Sequence, residues 1–510
     1  MLVKEQKNKG NDVFQVKMDL PAPAIETAFA INTFQRWYID HNRTPISNSR
    51  FTLNEPGYAL ENHPLIKEAD VLHLHSVGRF LSPAAIGTLA GLGKPVVWTM
   101  HDMRPFTGGC HYSAGCANYT SNCPTCPQLA WDPYFITEAQ LGDALENIPA
   151  RRITWVAPTE WLAYKARSSA LLREARVEVI PYGVQTEEFP SRWKPQAKNH
   201  LGLDPGTLHL LFVANRLGEK RKGFDHVARA LQICLGHPDF KRRAEQGEIA
   251  LISLGHPDPT LAKLGLPYVC LGFLETPQEM SQLYGAADLF LLPSLEENMP
   301  NTLLEAMSSG TPPIAFAVGG IPEAMMQDET GRLVPPGDDA EFANAIHALL
   351  FDDALRQQMG ENCRRTVQER FSYRQEAENY LRLYRELMRG LPRSAPSTSD
   401  PFGFGPGNDF VATKLAPISP RVQQICTDSL PRPLQNLILS MEEQTRADQA
   451  ELRELRDFLD GQQRTIEELQ AELDQQRGTL RQQETTILQQ KQILGSGAIK
   501  MLRQLKLIKK

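Results

Sequence analysis

The chain has 510 residues, 41% of them hydrophobic, and a formal net charge of -6 at pH 7. At roughly 100–200 residues per domain, this length predicts about three structural units with ordinary apolar cores. The small net charge excludes a generalised nucleic-acid-binding surface. The N-terminal residues lack the apolar core of a signal peptide, and no apolar run approaches the ~20 residues that span a bilayer. We therefore expect a cytoplasmic protein with at most peripheral contact with the inner membrane surface.

Short β-type runs alternate with helical stretches between residues 70 and 387. Near-continuous apolar strands alternating with helices are typical of parallel sheets covered on both faces. The length accommodates two such sheets, so we predict an α/β protein with two Rossmann-like domains, at residues 1–188 and 189–390. The predicted strands lie at 70–75, 94–100, 152–157, 177–180, 208–213, 249–254, 288–292 and 312–316.

The composition changes after residue 390. Residues 391–433 are rich in Pro, Gly and Ser, which predicts a linker. Residues 434–495 carry a seven-residue apolar repeat, which predicts a coiled coil and a homo-oligomer; the alternative is a lone charged helix. Residues 496–510 alternate cations with apolar side chains, so they form either a membrane-surface contact or a solvated basic tail. The positions of the repeat are Leu452, Leu459, Ile466, Leu473, Leu480, Ile487 and Leu494.

Residues 293–312 follow the predicted strand 288–292 and open a predicted helix near Asn301. Ligands of parallel sheets bind beyond the carboxyl ends of the strands, where a helix N-terminus offers free N–H groups to phosphate. Glu297 in the loop and Glu305 in the first turns of the helix are placed to face one ligand, for example as acceptors for sugar hydroxyls. The alternative is a solvated surface pair.

Two more segments follow strand ends. Gly319 and Gly320 permit close approach of the backbone to a ligand, although an ordinary tight turn would use the same residues. Cations beyond a strand end suit a diphosphate, and the alternative is a solvated basic turn. The cations that follow strand 208–213 are Arg216, Lys220, Arg221 and Lys222.

Together these ordered motifs resemble the retaining glycosyltransferases of family 4, which have the GT-B fold. The resemblance covers residues 70–387 and includes 179–184, where Tyr182 replaces the usual Asn of the family's interdomain strand. The matched positions are Glu297 and Glu305 for Glu-x7-Glu, Arg216 and Lys222-Gly223 for the diphosphate pair, and Gly319, Gly320 and Glu323 for Gly-Gly-x-x-Glu.

The resemblance implies transfer of a hexose-type unit, with retention, from a nucleoside-diphosphate sugar to a hydroxyl of a glycan or lipid-linked acceptor, as in polysaccharide biosynthesis. It implies that Arg216 and Lys222 neutralise the leaving diphosphate in place of a metal. Glu297 would hold hydroxyls of the donor sugar, and Glu305 would accept from the ribose hydroxyls. The backbone N–H groups that would cap the phosphates belong to Asn301, Thr302 and Leu303.

Residues 98–112 follow a predicted strand end and resemble the family's Thr-x-His-Asp segment, whose His lies at the acceptor–donor junction. The resemblance implies that His101 orients a donor hydroxyl or handles the acceptor proton. The alternative is a packed structural histidine beside Asp102.

Two other functions stay open at this point. A GT-B nucleotide-sugar epimerase would need a different set of carboxylates. A non-catalytic scaffold that presents the coiled coil would fit a transferase-like domain without the family's first strand and glycine loop, and residues 13–17 resemble the second strand of that family with no such loop before them.

Four of the eight cysteines lie close together in the sequence, at Cys110, Cys116, Cys123 and Cys126. The last pair has the Cys-x2-Cys spacing of a zinc knuckle, whereas the first spacing is looser than in standard zinc modules. We predict a structural zinc site, with redox or disulfide chemistry and plain structural thiols as the alternatives.

Overall fold

The protein was analysed as a computed structural model that describes residues 36–40, 42–47, 50–55, 57–190, 194–214, 217–255, 259–274 and 276–389. The predicted strand 13–17, the linker 391–433, the coiled coil 434–495 and the basic tail 496–510 lie outside these residues. No helix in the described part of the chain is long and apolar enough to cross a membrane.

The described residues form a parallel four-stranded sheet followed by a parallel six-stranded sheet. The strand orders are β1-β2-β3-β4 and β10-β9-β8-β5-β6-β7. The strands are β1 (Leu72–His75), β2 (Val96–Thr99), β3 (Ile153–Ala157), β4 (Arg176–Val179), β5 (Leu208–Val213), β6 (Ile249–Leu254), β7 (Tyr268–Cys270), β8 (Leu289–Leu292), β9 (Pro313–Phe316) and β10 (Arg332–Val334).

Helices connect the strands, as parallel pairing requires. The α-helices are α1 (Pro64–Glu68), α2 (Pro83–Ala90), α3 (Ile136–Asn147), α4 (Glu160–Ser168), α5 (Lys194–His200), α6 (Phe224–Leu235), α7 (Pro238–Glu245), α8 (Pro277–Ala286), α9 (Asn301–Ser308), α10 (Ile321–Ala324), α11 (Asp339–Leu350), α12 (Asp353–Arg370) and α13 (Tyr373–Leu387). A π-helical turn spans Arg36–Asp40, and 3-10 turns span Arg104–Phe106, Asn118–Thr120, Ala150–Arg152, Lys220–Lys222 and Leu261–Lys263.

Polar caps start several of the helices where the sequence leaves a strand or loop. Ser82 precedes Pro83, the first residue of α2, and its hydroxyl accepts from the N–H of Ala85. Thr276 is the N-cap of α8 and forms a capping box. Its hydroxyl accepts from the N–H of Glu279, and the Glu279 side chain accepts from the N–H of Thr276. Such side chains satisfy N–H groups that have no partner inside the helix, so each helix begins at a defined residue.

Both sheets are buried on two faces, which accounts for the apolar strands read from the sequence. In the first sheet the stacked rings of Trp98 and Trp155, with centroids 4.6 Å apart, belong to one core. The second sheet separates two further cores, one around Phe212 and one around Phe290. The predicted α/β class with two Rossmann-like sheets is confirmed.

The last described helix returns to the first sheet. Tyr380 and Leu383 of α13 pack against Val97, Val156 and Ile180, although the preceding helices cover the second sheet. The first and second halves of the fold are therefore joined by the segment after β4 and by α13, and the carboxyl ends of β1, β2 and β8 approach a common junction.

Candidate active site

The basic turn after β5 is paired with the carboxylate in the loop after β8. Nζ of Lys222 lies 2.6 Å from Oε1 of Glu297, and a guanidinium nitrogen of Arg221 lies 2.5 Å from the same oxygen. The backbone supports this approach, because the N–H of Leu295 donates to the carbonyl of Arg221 at 2.8 Å. Two predicted site residues, Lys222 and Glu297, are thus in direct contact at the carboxyl end of the sheet.

Burial and charge act on Glu297 in opposite directions. Only 5% of the residue is exposed. Burial alone would raise its pKa, but the charges of Lys222 and Arg221 and their hydrogen bonds hold the pKa below its usual value. The carboxylate is therefore ionised at neutral pH inside a largely water-free site, where its charge interactions are stronger than at the surface.

The other half of the fold contributes Tyr112 to this cluster. Its hydroxyl lies 3.4 Å from Oε2 of Glu297 and accepts from the N–H of Asn298 at 3.2 Å. The guanidinium of Arg221 lies over the Tyr112 ring, 4.8 Å from the centroid. The neighbouring Ala114 N–H donates to the side chain of Glu296 at 2.9 Å. The loop after β2 is thus docked on the loop after β8.

Gly319 and Gly320, which follow β9, pack against the backbone of the loop that carries Glu297. Gly319 has a φ of 58°, and a Cβ atom there would lie 1.6 Å from the carbonyl oxygen of Glu297. The N–H of Gly320 lies 3.0 Å from the carbonyl of Asn298 and 3.2 Å from that of Glu297. A side chain at Gly319 would displace Glu297, so the pair permits a backbone contact within the protein itself.

Helix α9 begins at Asn301, as predicted, and no side chain of the described residues caps its first turn. The N–H of Leu303 is bonded to the carbonyl of Pro300, and the Leu303 side chain is buried in the core. Asn301 is exposed and Thr302 half-buried, which leaves the first N–H groups of the helix as the phosphate-binding candidates.

Glu305 lies one turn further along α9, where the Tyr284 hydroxyl donates to its Oε2 at 2.9 Å. Burial raises the pKa of Glu305 more than this hydrogen bond lowers it. In the described part of the chain, no hydrogen bond or ion pair joins Glu305 to Glu297 or Lys222. Glu305 thus occupies a separate, less polar part of the site.

His101 lies directly after β2, at the junction of the two halves. Its backbone carbonyl accepts from the side-chain amide of Asn298 at 3.0 Å. Its ring contacts the Tyr182 hydroxyl and the ring of His75. Asp102 instead accepts from His111 at 2.7 Å and from the N–H of Arg104 at 2.9 Å, and no hydrogen bond among the described residues joins it to the His101 ring.

Glu323 joins the two halves at another point. Its two carboxylate oxygens accept from the backbone N–H groups of Glu160 and Trp161, each at 2.8 Å, at the start of α4. Beside it, the hydroxyl of Thr159 lies 2.7 Å from the side-chain oxygen of Asn298. A carboxylate at a helix N-terminus interacts favourably with the helix dipole.

The four clustered cysteines line one cavity next to Tyr119 and Gln128. Burial raises the pKa of Cys123 to about 12, more than the N–H of Gly108 lowers it. Sγ of Cys116 accepts from the N–H of Asn118 at 3.3 Å. Among the described residues, no three His, Cys, Asp or Glu side chains are placed to hold a metal ion. The predicted zinc site is therefore not shown.

Arg216 lies outside the described residues, so its predicted role stays a prediction. Arg221 forms an ion pair with Glu297. In the sequence Arg221 stands only as one of four cations, and the resemblance assigns the diphosphate to Arg216 and Lys222. Tyr112 and His75 were also missed. The sequence did contain a signal for His75. It alternates with His73 on β1, a strand that ends at the edge of the sheet where ligands bind.

Comparison with known families decides the identity of the two halves. Residues 1–188 match the model of Glycosyltransferase Family 4, and residues 207–352 match that of Glycosyl transferases group 1. The chain carries a family 4 glycosyltransferase domain followed by a group 1 glycosyltransferase domain. With two parallel-sheet Rossmann-like domains, these form the GT-B fold.

Individual relatives match part of the chain. D-inositol 3-phosphate glycosyltransferase of Pseudarthrobacter chlorophenolicus is 33% identical over 198 residues, which cover 36% of this chain and 44% of that protein. Sulfoquinovosyl transferase of Arabidopsis thaliana is 32% identical over 199 residues, which cover 38% of this chain and 36% of that protein. The chain spans about half the length of the curated relatives it matches first.

Among solved structures, sucrose-phosphate synthase from Thermosynechococcus elongatus is similar to this chain with a TM-score of 0.46 and 22% sequence identity. The similarity covers 62% of this chain and 74% of that chain.

Proposed function

We propose that this protein transfers a hexose-type unit, with retention, from a nucleoside-diphosphate sugar to a hydroxyl of a glycan or lipid-linked acceptor. In this reaction the bond between the sugar's anomeric carbon and the diphosphate oxygen breaks, and negative charge develops on the leaving oxygen. Lys222 and Arg216 stabilise that charge without a metal, and Arg221 adds a third cation. Electrostatic stabilisation of developing charge is commonly the largest contribution to such catalysis.

The observation that carries this proposal is the contact between Lys222 and Glu297 at the carboxyl end of the second sheet. It places a cation that would bind the diphosphate next to a carboxylate that would accept hydrogen bonds from the sugar hydroxyls. The uncapped start of α9 adds N–H groups for the phosphates, and Glu305 serves the ribose hydroxyls. His101 approaches from the family 4 domain, where it orients a hydroxyl of the donor sugar through the neighbouring ring of His75.

The test is a thermal-shift screen of UDP, GDP and ADP and of their glucose and mannose conjugates, followed by assays for release of nucleoside diphosphate. A ligand at ~100 times its dissociation constant should add about 2.7 kcal/mol of stability. Lys222→Ala should abolish release without unfolding the protein. Lys220→Ala is the matched control, because Lys220 lies in the same turn and donates to the Pro45 carbonyl instead.

Full activity of Lys222→Ala would refute the assignment of the diphosphate site. A wild-type protein that binds none of these nucleotides would support the alternative of a non-catalytic scaffold. Binding followed by epimerisation of the sugar, without release of the diphosphate, would support an epimerase.

We also propose that Cys110, Cys116, Cys123 and Cys126 hold a structural zinc ion. All four line one cavity, and backbone N–H groups already offset part of the effect of burial on the pKa of Cys123 and Cys126. Such N–H bonds favour the thiolate, which is the form that binds zinc. Binding would require the sulfurs to approach one another within the cavity.

Metal analysis of the purified protein tests this proposal. We expect about one zinc per chain. Cys123→Ser should release it, whereas Cys234→Ser, a buried cysteine of the second domain, should not. Metal-free protein of full stability would refute the site.

We further propose that residues 434–495 form the predicted coiled coil and that 496–510 contact an anionic membrane surface. Deletion of residues 434–510 should convert an oligomer to a monomer and leave donor hydrolysis intact. Light scattering measures the first effect. A full-length protein that is monomeric at micromolar concentration would contradict the coiled coil, and unchanged vesicle binding after deletion would contradict the membrane contact.

A further inference from the structure

Three side chains at the domain junction form a chain of hydrogen bonds. Nδ1 of His101 lies 2.5 Å from the Tyr182 hydroxyl, and Nε2 of His101 lies 3.1 Å from Nδ1 of His75. The rings stack in the same order, with centroids 5.6 and 5.3 Å apart. His75 ends β1, His101 follows β2, and Tyr182 belongs to the segment between the two domains. Both nitrogens of His101 are therefore engaged by neighbours from different elements.

The direction of these bonds follows from the Tyr182 hydroxyl. Burial raises the pKa of this hydroxyl well above its usual value, so it keeps its hydrogen. In the described part of the chain, His101 is its single hydrogen-bond partner. If Nδ1 of His101 carried a hydrogen, the half-buried Tyr182 O–H would have no acceptor among the described residues, which is unfavourable. Tyr182 therefore donates to Nδ1.

That assignment fixes the two histidines in turn. Burial lowers the pKa of His101, and burial together with His101 lowers that of His75 to about 4, so both rings are neutral at pH 7. A neutral His101 that accepts at Nδ1 carries its hydrogen on Nε2 and donates to Nδ1 of His75. His75 then carries its own hydrogen on Nε2, the ring nitrogen that no described residue occupies.

The position of His75 suits a ligand contact. It is the last residue of β1 and keeps part of its surface open to solvent although its ring packs against His101, at the edge of the sheet where ligands of parallel sheets bind. The His101 carbonyl is bonded to Asn298, whose neighbour Glu297 we assign to the sugar hydroxyls. A hydrogen-bond donor at His75 thus complements the acceptor at Glu297 on the other side of the junction.

We propose that His75 contacts the transferred sugar by donating Nε2–H to one of its hydroxyl oxygens, and that Tyr182 is a positioning residue that fixes this polarity through His101. The inference rests on the proposed function for the identity of the ligand. The polarity of the hydrogen-bond chain does not, and it can be tested on the protein alone.

The polarity is tested by nitrogen NMR of protein with labelled histidines, with His101 and His75 assigned by substitution. Both should carry hydrogen on Nε2. Tyr182→Phe should shift His101 toward the Nδ1–H form and change the His75 signals. Tyr384→Phe is the matched control, because it removes an equally short 2.5 Å bond from the neighbouring His73. Nδ1–H at His101 in the wild type would overturn the proposal.

The ligand contact is tested by calorimetry with UDP-glucose and UDP and with GDP-mannose and GDP. The comparison uses the nucleotide sugar that binds and its own nucleoside diphosphate. His75→Ala should weaken the nucleotide sugar roughly tenfold and leave the diphosphate unchanged, as loss of one neutral hydrogen bond predicts. His75→Gln, which keeps an N–H donor, should restore part of the affinity. Equal affinities of wild type and His75→Ala for the nucleotide sugar would overturn the contact. If the wild type binds no nucleotide, the proposed function fails, and the NMR result still decides the role of Tyr182.

Discussion

Nζ of Lys222 lies 2.6 Å from Oε1 of Glu297, so a diphosphate that binds Lys222 competes with a carboxylate of this protein. A cation beside a buried carboxylate is partly neutralised before any ligand arrives. The same contact that places the two residues together therefore lowers the affinity for the diphosphate itself.

Glu297→Gln should bind nucleoside diphosphate more tightly and release it from the nucleotide sugar more slowly. The substitution removes the competing charge from Lys222 but also removes the acceptor for sugar hydroxyls. A charge-assisted hydrogen bond contributes about 1.5–3 kcal/mol, which sets the scale of both effects. Calorimetry and a release assay measure them.

Glu296→Gln is the control for that experiment, because the neighbouring Glu296 side chain accepts from Ser113 and from the N–H of Ala114, which are the partners that the described residues give it in place of Lys222. Weaker diphosphate binding in Glu297→Gln than in the wild type would contradict the competition.

Gly319→Ala should destabilise the protein and abolish nucleotide binding. Its φ of 58° disfavours any side chain, and the added Cβ would meet the Glu297 carbonyl at 1.6 Å. Overpacking of this kind costs about 1–3 kcal/mol beyond the backbone strain. Urea unfolding and calorimetry report the two losses.

The control is Gly93→Ala, where φ is 75° and no atom of the described residues lies within 4 Å of the new Cβ. Only the strain of the left-handed conformation, about 1–2 kcal/mol, should remain there. Equal effects of the two substitutions would show that the contact with Glu297 is unimportant.

The sequence predicted the central strands of the sheets but not the two short edge strands of the second sheet. Each of the eight strand segments predicted between residues 70 and 316 overlaps a strand, because a strand buried on both faces needs an apolar run. The two missed strands, β7 and β10, have three residues each and lie at the edges of the second sheet. Too few residues are buried there to leave a pattern.

The site was predictable where the contacting residues all follow strands of one sheet. Lys222, Glu297 and Gly319 each follow a strand of one sheet, and parallel order brings such ends together. Tyr112 and His75 come from the other domain. The contacts of Tyr112 with Glu297 and Arg221 depend on how the two domains meet, which no local spacing in the sequence records, whereas His75 contacts His101 of its own domain.

Glu323→Ala should speed hydrogen exchange of the Glu160 and Trp161 amides. Both N–H groups donate to this carboxylate from the first turn of α4 and would lose a charge-assisted bond. We expect a loss of about 1–2 kcal/mol in the free energy of unfolding. Mass-spectrometric exchange on peptides around residue 160 measures the local effect.

Glu160→Gln is the matched control, since it changes the side chain at the same place and keeps the backbone N–H. It should leave exchange at Trp161 unchanged. Protection of both amides in Glu323→Ala would mean that these bonds do not hold the two domains together.

The contribution of Glu376 in α13 to the stability of the protein should fall between about pH 4.5 and pH 7. Burial raises the pKa of this carboxyl to about 7, more than the hydrogen bond from the Gly183 N–H, at 3.1 Å, lowers it. The native state therefore holds a proton that the unfolded state releases at its ordinary pKa near 4.5. This contribution is fully present below about pH 4.5, is lost as the pH rises to about 7, and changes no further above that value. A difference of this size in pKa corresponds to at most about 3 kcal/mol in the free energy of unfolding.

Glu376→Gln cannot ionise, so it should match the wild type near the acid end of the window and exceed it in stability above pH 7. Urea unfolding across this range measures the difference, with Glu378→Gln, an exposed position of the same helix, as the control. If the free energies of unfolding of wild type and Glu376→Gln keep a constant separation across the window, Glu376 does not titrate there.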